Sequence, residues 1–67
     1  MSGQIVQGSR ALVVAVRAGL VARDTSLSEW CRRYGVNRSW TYEALMGRRN
    51  GLQAQALRRR LMDEAGL

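Results

Sequence analysis

Residues 27–47 read LSEWCRRYGVNRSWTYEALMG, and their pattern decides the fold. The stretch predicts two short helices around a tight turn at Gly35. Leu27, Trp30, Cys31 and Tyr34 recur at helical spacing, so they share one face. Just upstream, Ser26-Leu27-Ser28-Glu29 has the S-x-x-E form of a capping box, in which the serine oxygen meets the N3 amide and the glutamate reaches back. That box starts the helix at Ser26. Gly35 ends it, because glycine takes the positive φ of a tight turn without a Cβ penalty. Val36 then plugs the core from the turn, and Asn37 caps a following helix from Arg38 to about Met46. That helix carries Thr41, Ala44 and Leu45 inward. Ser39, Tyr42, Glu43 and Met46 fall outward, with Arg38 in the exposed first turn. Glu29 and Arg33 form an i,i+4 pair on the solvent side.

The flanks read as support. Residues 1–8, with two glycines and two glutamines, form a loose N-terminal arm that Ile5 and Val6 can pin to the domain or to a second copy. Ser9 caps a first helix to about Ala22 or Arg23, with Leu12, Val16 and Leu20 recurring every four residues and Val13 and Ala15 beside them. Gly19 weakens its last turn, so a fray or early end is expected there. Asp24-Thr25-Ser26 is the break before the central stretch. Residues 47–51 make a glycine-bounded loop. Asn50, with Gln53 three residues on, caps a last helix through about Glu64, lined by Ala54, Leu57, Leu61 and Ala65. Arg58, Arg59 and Arg60 fall largely on the opposite, solvated face. Asp63 and Glu64 oppose the dipole of that helix, so its end is expected to fray.

Composition sets the class of partner. The chain has 67 residues, a formal charge of +6 and eleven basic residues, all arginine. A chain of this length makes one small domain whose core buries about 60% of the unfolded surface. Codon bias accounts for arginine over lysine but not for the excess over acids, and such an excess points to a polyanion. One cysteine and no histidine exclude an intramolecular disulfide and leave a zinc site without ligands. Catalytic residues, metal and cofactors are therefore all expected to be none. No charged n-region marks a signal peptide, and the apolar run at residues 11–16 is too short to span a bilayer. A reducing, cytoplasmic location and no membrane partner are expected.

The central stretch resembles the helix-turn-helix of the lambda-type repressor/Cro superfamily, aligned without a gap. The family's pattern has a small residue, a glycine four positions on, an apolar residue directly after it, and inward positions six and nine after the glycine. Cys31, Gly35, Val36, Thr41 and Ala44 stand at these places, and Gly47 matches the closing glycine of the recognition helix. Cys31 replaces the usual alanine, Thr41 the usual Val or Ile, and Tyr34 is large for its place. The flanking helices agree only in number and rough length. The resemblance implies an all-α fold: a compact four-helix domain over residues 9–67, its second and third helices forming the helix-turn-helix.

It also implies sequence-specific binding of double-stranded DNA by a phage or bacterial transcriptional regulator, most simply a repressor. The third helix would enter the major groove with its N-terminal residues toward the base edges. Arg38 is the best candidate for readout, since guanidinium pairs bidentately with guanine O6 and N7. Asn37, Ser39, Tyr42 and Glu43 complete the base-contacting set, Glu43 as an acceptor from cytosine N4. Arg48 and Arg49 are the leading backbone contacts, joined by Arg32, Arg33 and Trp40, with Arg10 weaker. The implied assembly is a homodimer on a pseudo-palindromic operator, in the bacterial nucleoid or a phage-infected cell, with RNA polymerase as a further contact. Two rivals stand beside this reading. One is an excisionase-like architectural factor that bends DNA; the other is a protein-binding module using the Trp40/Tyr42/Met46 surface.

Overall fold

A computed structural model describes residues 7–67, which form four helices and no strand: α1 (Arg10–Ala22), α2 (Leu27–Tyr34), α3 (Arg38–Met46) and α4 (Leu52–Ala65). The expected anchoring by Ile5 and Val6 lies outside the described residues.

Each helix start follows from a local hydrogen bond or its absence. The Ser9 hydroxyl accepts from the Leu12 amide at 3.1 Å. The Ser26 hydroxyl accepts from the Glu29 amide, also at 3.1 Å, and the Asn37 side chain accepts from the Trp40 amide at 2.8 Å. These bonds satisfy amides that no helical carbonyl can reach. Glu29 does not join Arg33: its carboxylate lies 3.5 Å from the Thr25 hydroxyl, and the ion pair found among the described residues is Arg49–Glu43. The fourth cap also differs from expectation. Gly51, not Asn50, precedes α4, with no side-chain cap. Asn50 is drawn the other way, donating through Nδ2 to the Gly47 carbonyl at 2.8 Å.

The helix ends are closed by left-handed residues. Gly35, Gly47 and Gly66 have φ of 67°, 91° and 78°. Gly66 overturns the expected fraying: its amide and that of Leu67 bond the carbonyls of Asp63 and Met62, closing the last turn despite the acidic pair. After α1 the left-handed position falls on Asp24, with φ 63°. The amides of Asp24 and Thr25 bond the carbonyls of Val21 and Leu20, so the same closure is built without glycine.

The core draws on every helix. Leu12, Val13, Val16 and Leu20 of α1 meet Leu27, Trp30 and Cys31 of α2, Ala44 and Leu45 of α3, and Ala54, Leu57, Leu61 and Ala65 of α4. Burying one such aliphatic side chain contributes about 1.5–3 kcal/mol, so loss of any of them is a large fraction of a small domain's stability. Gly19 does not end α1, which continues to Ala22. It is instead the point of approach to α4: a Cβ there would collide with the Ala65 carbonyl oxygen and lie 2.7 Å from the Ala65 Cβ. Tyr34 is 41% exposed rather than buried, its ring tilted against Trp30 with centroids 5.0 Å apart. Trp30 is buried, and its indole nitrogen has no hydrogen-bond partner among the described residues.

Between α2 and α3, the Cys31 thiol lies 3.5 Å from the Thr41 hydroxyl, which itself donates to the Asn37 carbonyl at 2.8 Å. The buried threonine is thereby satisfied within its own helix, the requirement for a hydroxyl at a core position.

Candidate nucleic-acid interface

The turn between α2 and α3 sets how α3 is presented. The Val36 amide bonds the Cys31 carbonyl at 2.9 Å as the chain reverses through Gly35, and Val36 packs half-buried against the core. Asn37 follows as the cap. Its side-chain oxygen is committed to the Trp40 amide, so the NH₂ end is what it can still offer to a ligand. Arg38 and Ser39 are exposed at this end of the helix. Arg38 reaches back over the turn, donating from Nη1 to the Ser28 hydroxyl at 2.8 Å. That exposed bond ties the start of α3 to the start of α2 and leaves the other guanidinium nitrogens without a partner among the described residues.

The middle of α3 is less open than the periodicity predicts. Trp40, Tyr42 and Met46 are each half-buried and pack against the core. Tyr42 and Met46 are therefore not fully outward residues, and the Trp40/Tyr42/Met46 set is not a freestanding apolar surface. Trp40 belongs at least in part to the hydrophobic interior. Glu43 remains half-exposed, but its carboxylate accepts from Arg49 Nε at 2.8 Å. An exposed ion pair of this kind contributes about 0–1 kcal/mol, too little to resist a better partner for either side chain. It does join a base-contact candidate to a backbone-contact candidate.

Past α3 the chain is held tightly. The Glu43 carbonyl accepts from the Arg48 amide at 2.9 Å, and the Ala44 carbonyl from the Gly47 amide at 3.3 Å. The Leu45 carbonyl accepts from the Ser9 amide at 2.8 Å, which brings the entry to α1 against the exit from α3. The Asn50 carbonyl accepts from Gln55 Nε2 at 2.9 Å. Gly8 and Gly47 lie backbone to backbone; a Cβ on Gly8 would overlap the Gly47 amide nitrogen and Cα, and one on Gly47 would lie 2.7 Å from the Gly8 carbonyl oxygen. Arg48 and Arg49 project from this braced loop and are exposed.

The brace includes a residue assigned above to the solvated face. Arg58 is only 2% exposed, and its Nη1 donates to the carbonyls of Ala44 at 2.8 Å and Arg49 at 3.0 Å. The reason is register: position 58 is four after Ala54 and three before Leu61, so it stands in the inward stripe of α4. A run of three arginines masked that spacing. A guanidinium at the carboxyl end of α3 is also favoured by the helix dipole. Arg59 and Arg60 are exposed, and Arg60 lies over the rings of Tyr34 and Trp30 at 4.5 and 5.4 Å from their centroids.

Arg32 and Arg33 are exposed in the last turn of α2, and Arg10 is exposed at the start of α1. Arg38 and Ser39 thus stand at one end of α3 and Arg48 and Arg49 beyond the other, with Glu43 between. Among the described residues no three His, Cys, Asp or Glu side chains cluster as metal ligands do, and no helix is long and apolar enough to cross a membrane. No protein-family model matches the chain, and no curated protein or solved structure matches it significantly.

Proposed function

We propose that the protein binds double-stranded DNA sequence-specifically through α3 and regulates transcription of a phage or bacterial operon, most simply by repression. One observation carries the reading: α3 exposes Arg38 and Ser39 at its capped end and is followed directly by Arg48 and Arg49. A helix of nine residues is about 13 Å long, close to the roughly 12 Å width of the major groove. Inserted end-on, it brings the Arg38 fork to a guanine edge while the arginines past its far end reach phosphate. Arg38 gives up an exposed hydrogen bond to Ser28 and gains a bidentate, charge-assisted pair. The formal charge of +6 supplies the salt-dependent part of the affinity.

In this mechanism Arg38 and Ser39 read bases, with the free NH₂ of Asn37 as a further donor. Arg48, Arg32 and Arg33 fix register on the backbone. Glu43 selects against phosphate and accepts from cytosine only after Arg49 lets go of it. A homodimer would place two such helices about 34 Å apart on one face of a pseudo-palindromic operator, excluding RNA polymerase or touching it when the site lies upstream.

Selection of bound sequences from random duplex DNA, followed by titration of the winner at several salt concentrations, tests the proposal. A recurring motif with steep salt dependence is expected. Weak binding with no motif would end it. Strong bending in a circularly permuted fragment without repression of a reporter would favour the architectural rival. Given a motif, Arg38→Ala should cost about 1–3 kcal/mol and relax one base position, whereas Arg48→Ala should weaken all sequences alike and lower the salt slope by about one.

A further inference from the structure

We infer that Arg58 is a positioning residue for DNA binding, holding the loop over residues 47–51 so that Arg48 and Arg49 are presented to phosphate. The inference rests on the DNA-binding reading for its purpose but on geometry for its mechanism. A buried guanidinium is costly unless its charge and donors are matched, and this one has no carboxylate partner among the described residues. Its bonds go to two main-chain carbonyls, one in the last turn of α3 and one in the loop, both from Nη1. Its Nε is buried and has no partner among the described residues. A residue retained only for core packing would be an aliphatic one, as at the neighbouring stripe positions Ala54, Leu57 and Leu61.

Arg58 supplies something an aliphatic side chain cannot. The Ala44 carbonyl otherwise receives only the long 3.3 Å bond from Gly47, and among the hydrogen bonds of the described residues the Arg49 carbonyl accepts from Arg58 alone. One nitrogen therefore links the end of α3 to the main chain of Arg49. Removing it leaves α3 in place, held by Ser9 and by the core, but frees the loop between Arg48 and Asn50. With the loop free, ordering it on binding costs entropy comparable to what a phosphate contact returns, so one or both of these contacts drop out of the complex. Each phosphate contact contributes about eight-fold to affinity at about 0.1 M salt relative to about 1 M if the salt exponent per contact is about 0.9.

The test compares Arg58→Met, Arg58→Lys and Leu57→Ala with the parent chain, at a temperature where all four are folded by circular dichroism. Leu57 is buried one position away and touches no loop carbonyl through a polar atom, so it controls for lost stability. Two measurements are made: the salt slope of binding to the selected duplex, and amide hydrogen exchange residue by residue. Arg58→Met should bind about eight-fold or more weakly with a slope lower by about one to two. Its Arg48 amide should exchange faster relative to the helix cores. Arg58→Lys should recover part of both, and Leu57→Ala should show neither loop effect. Unchanged slope and affinity in Arg58→Met overturn the inference, as does a loss matched by Leu57→Ala. If the parent chain binds no duplex, the DNA-binding reading falls. The exchange arm then still decides the brace, with uniform acceleration over the whole domain counting against it.

Discussion

Gly47→Ala tests the joint where the exit of α3 meets the entry to α1. Two costs add at this position. The residue has φ 91°, a left-handed conformation that costs a non-glycine residue about 1–2 kcal/mol. The new methyl would also lie 2.7 Å from the Gly8 carbonyl oxygen and 3.1 Å from its carbon, both main-chain atoms that cannot swing aside. Relief requires the chain before α1 to move off α3, which sacrifices the 2.8 Å bond from the Ser9 amide to the Leu45 carbonyl, worth about 0.5–1.5 kcal/mol. The sum is about 1.5–3.5 kcal/mol, against a total of about 3–10 kcal/mol for a domain this size. Gly35 is the internal control. It too is left-handed, at φ 67°, but a Cβ there meets nothing within 4 Å, so Gly35→Ala should show the backbone cost alone, about 1–2 kcal/mol. At Gly66 the obstruction is the end of the Arg23 side chain, which can rotate away, and Gly66→Ala should resemble Gly35→Ala. Urea unfolding followed by tryptophan fluorescence and helical circular dichroism measures all three. Equal losses at Gly47 and Gly35 would refute the claim that Gly8 packs on the end of α3.

Other substitutions separate local from tertiary causes. Gly19→Ala improves helix propensity by about 1 kcal/mol but drives a methyl into Ala65, so thermal melts should show net destabilisation; a rise in melting temperature would mean that α1 and α4 are further apart. Asp24→Gly should stabilise by about 0.5–1 kcal/mol, because glycine suits φ 63° and the change removes a negative charge from the end of α1. A lower melting temperature would reveal a contact of the Asp24 carboxylate. Thr41→Val should change stability by less than about 1 kcal/mol in urea titrations, since the Asn37 carbonyl keeps its bond from the Thr41 amide when the hydroxyl is lost. A larger loss would mean that the contact with Cys31 matters more than a weak thiol donor should.

Much of what depends on near neighbours could be read from the sequence alone, although the start and end of α4 and the expected Glu29–Arg33 pair were not among it. The capping residues Ser9, Ser26 and Asn37, the left-handed glycines at 35 and 47, and the apolar members of the inward stripes each rest on contacts within about four residues along the chain. Periodicity and capping chemistry suffice for these. The exposure of Arg38 and Ser39 was legible because a helix surface follows from its buried stripe, and that of Arg48 and Arg49 because a short glycine-bounded loop runs over the surface.

The tertiary structure decided what happens where segments distant in sequence touch. Gly19 looked like a weak point in α1 and is where Ala65 of α4 comes closest. Tyr42 and Met46 looked outward and lean on a core supplied by other helices. Arg58 looked like one of three solvated arginines, yet it is the buried link between α4, the end of α3 and the loop that carries Arg48 and Arg49. A charged side chain is placed inside a domain only when carbonyls from elsewhere in the chain are there to receive it. Those carbonyls, at residues 44 and 49, are brought to position 58 by packing and not by local pattern.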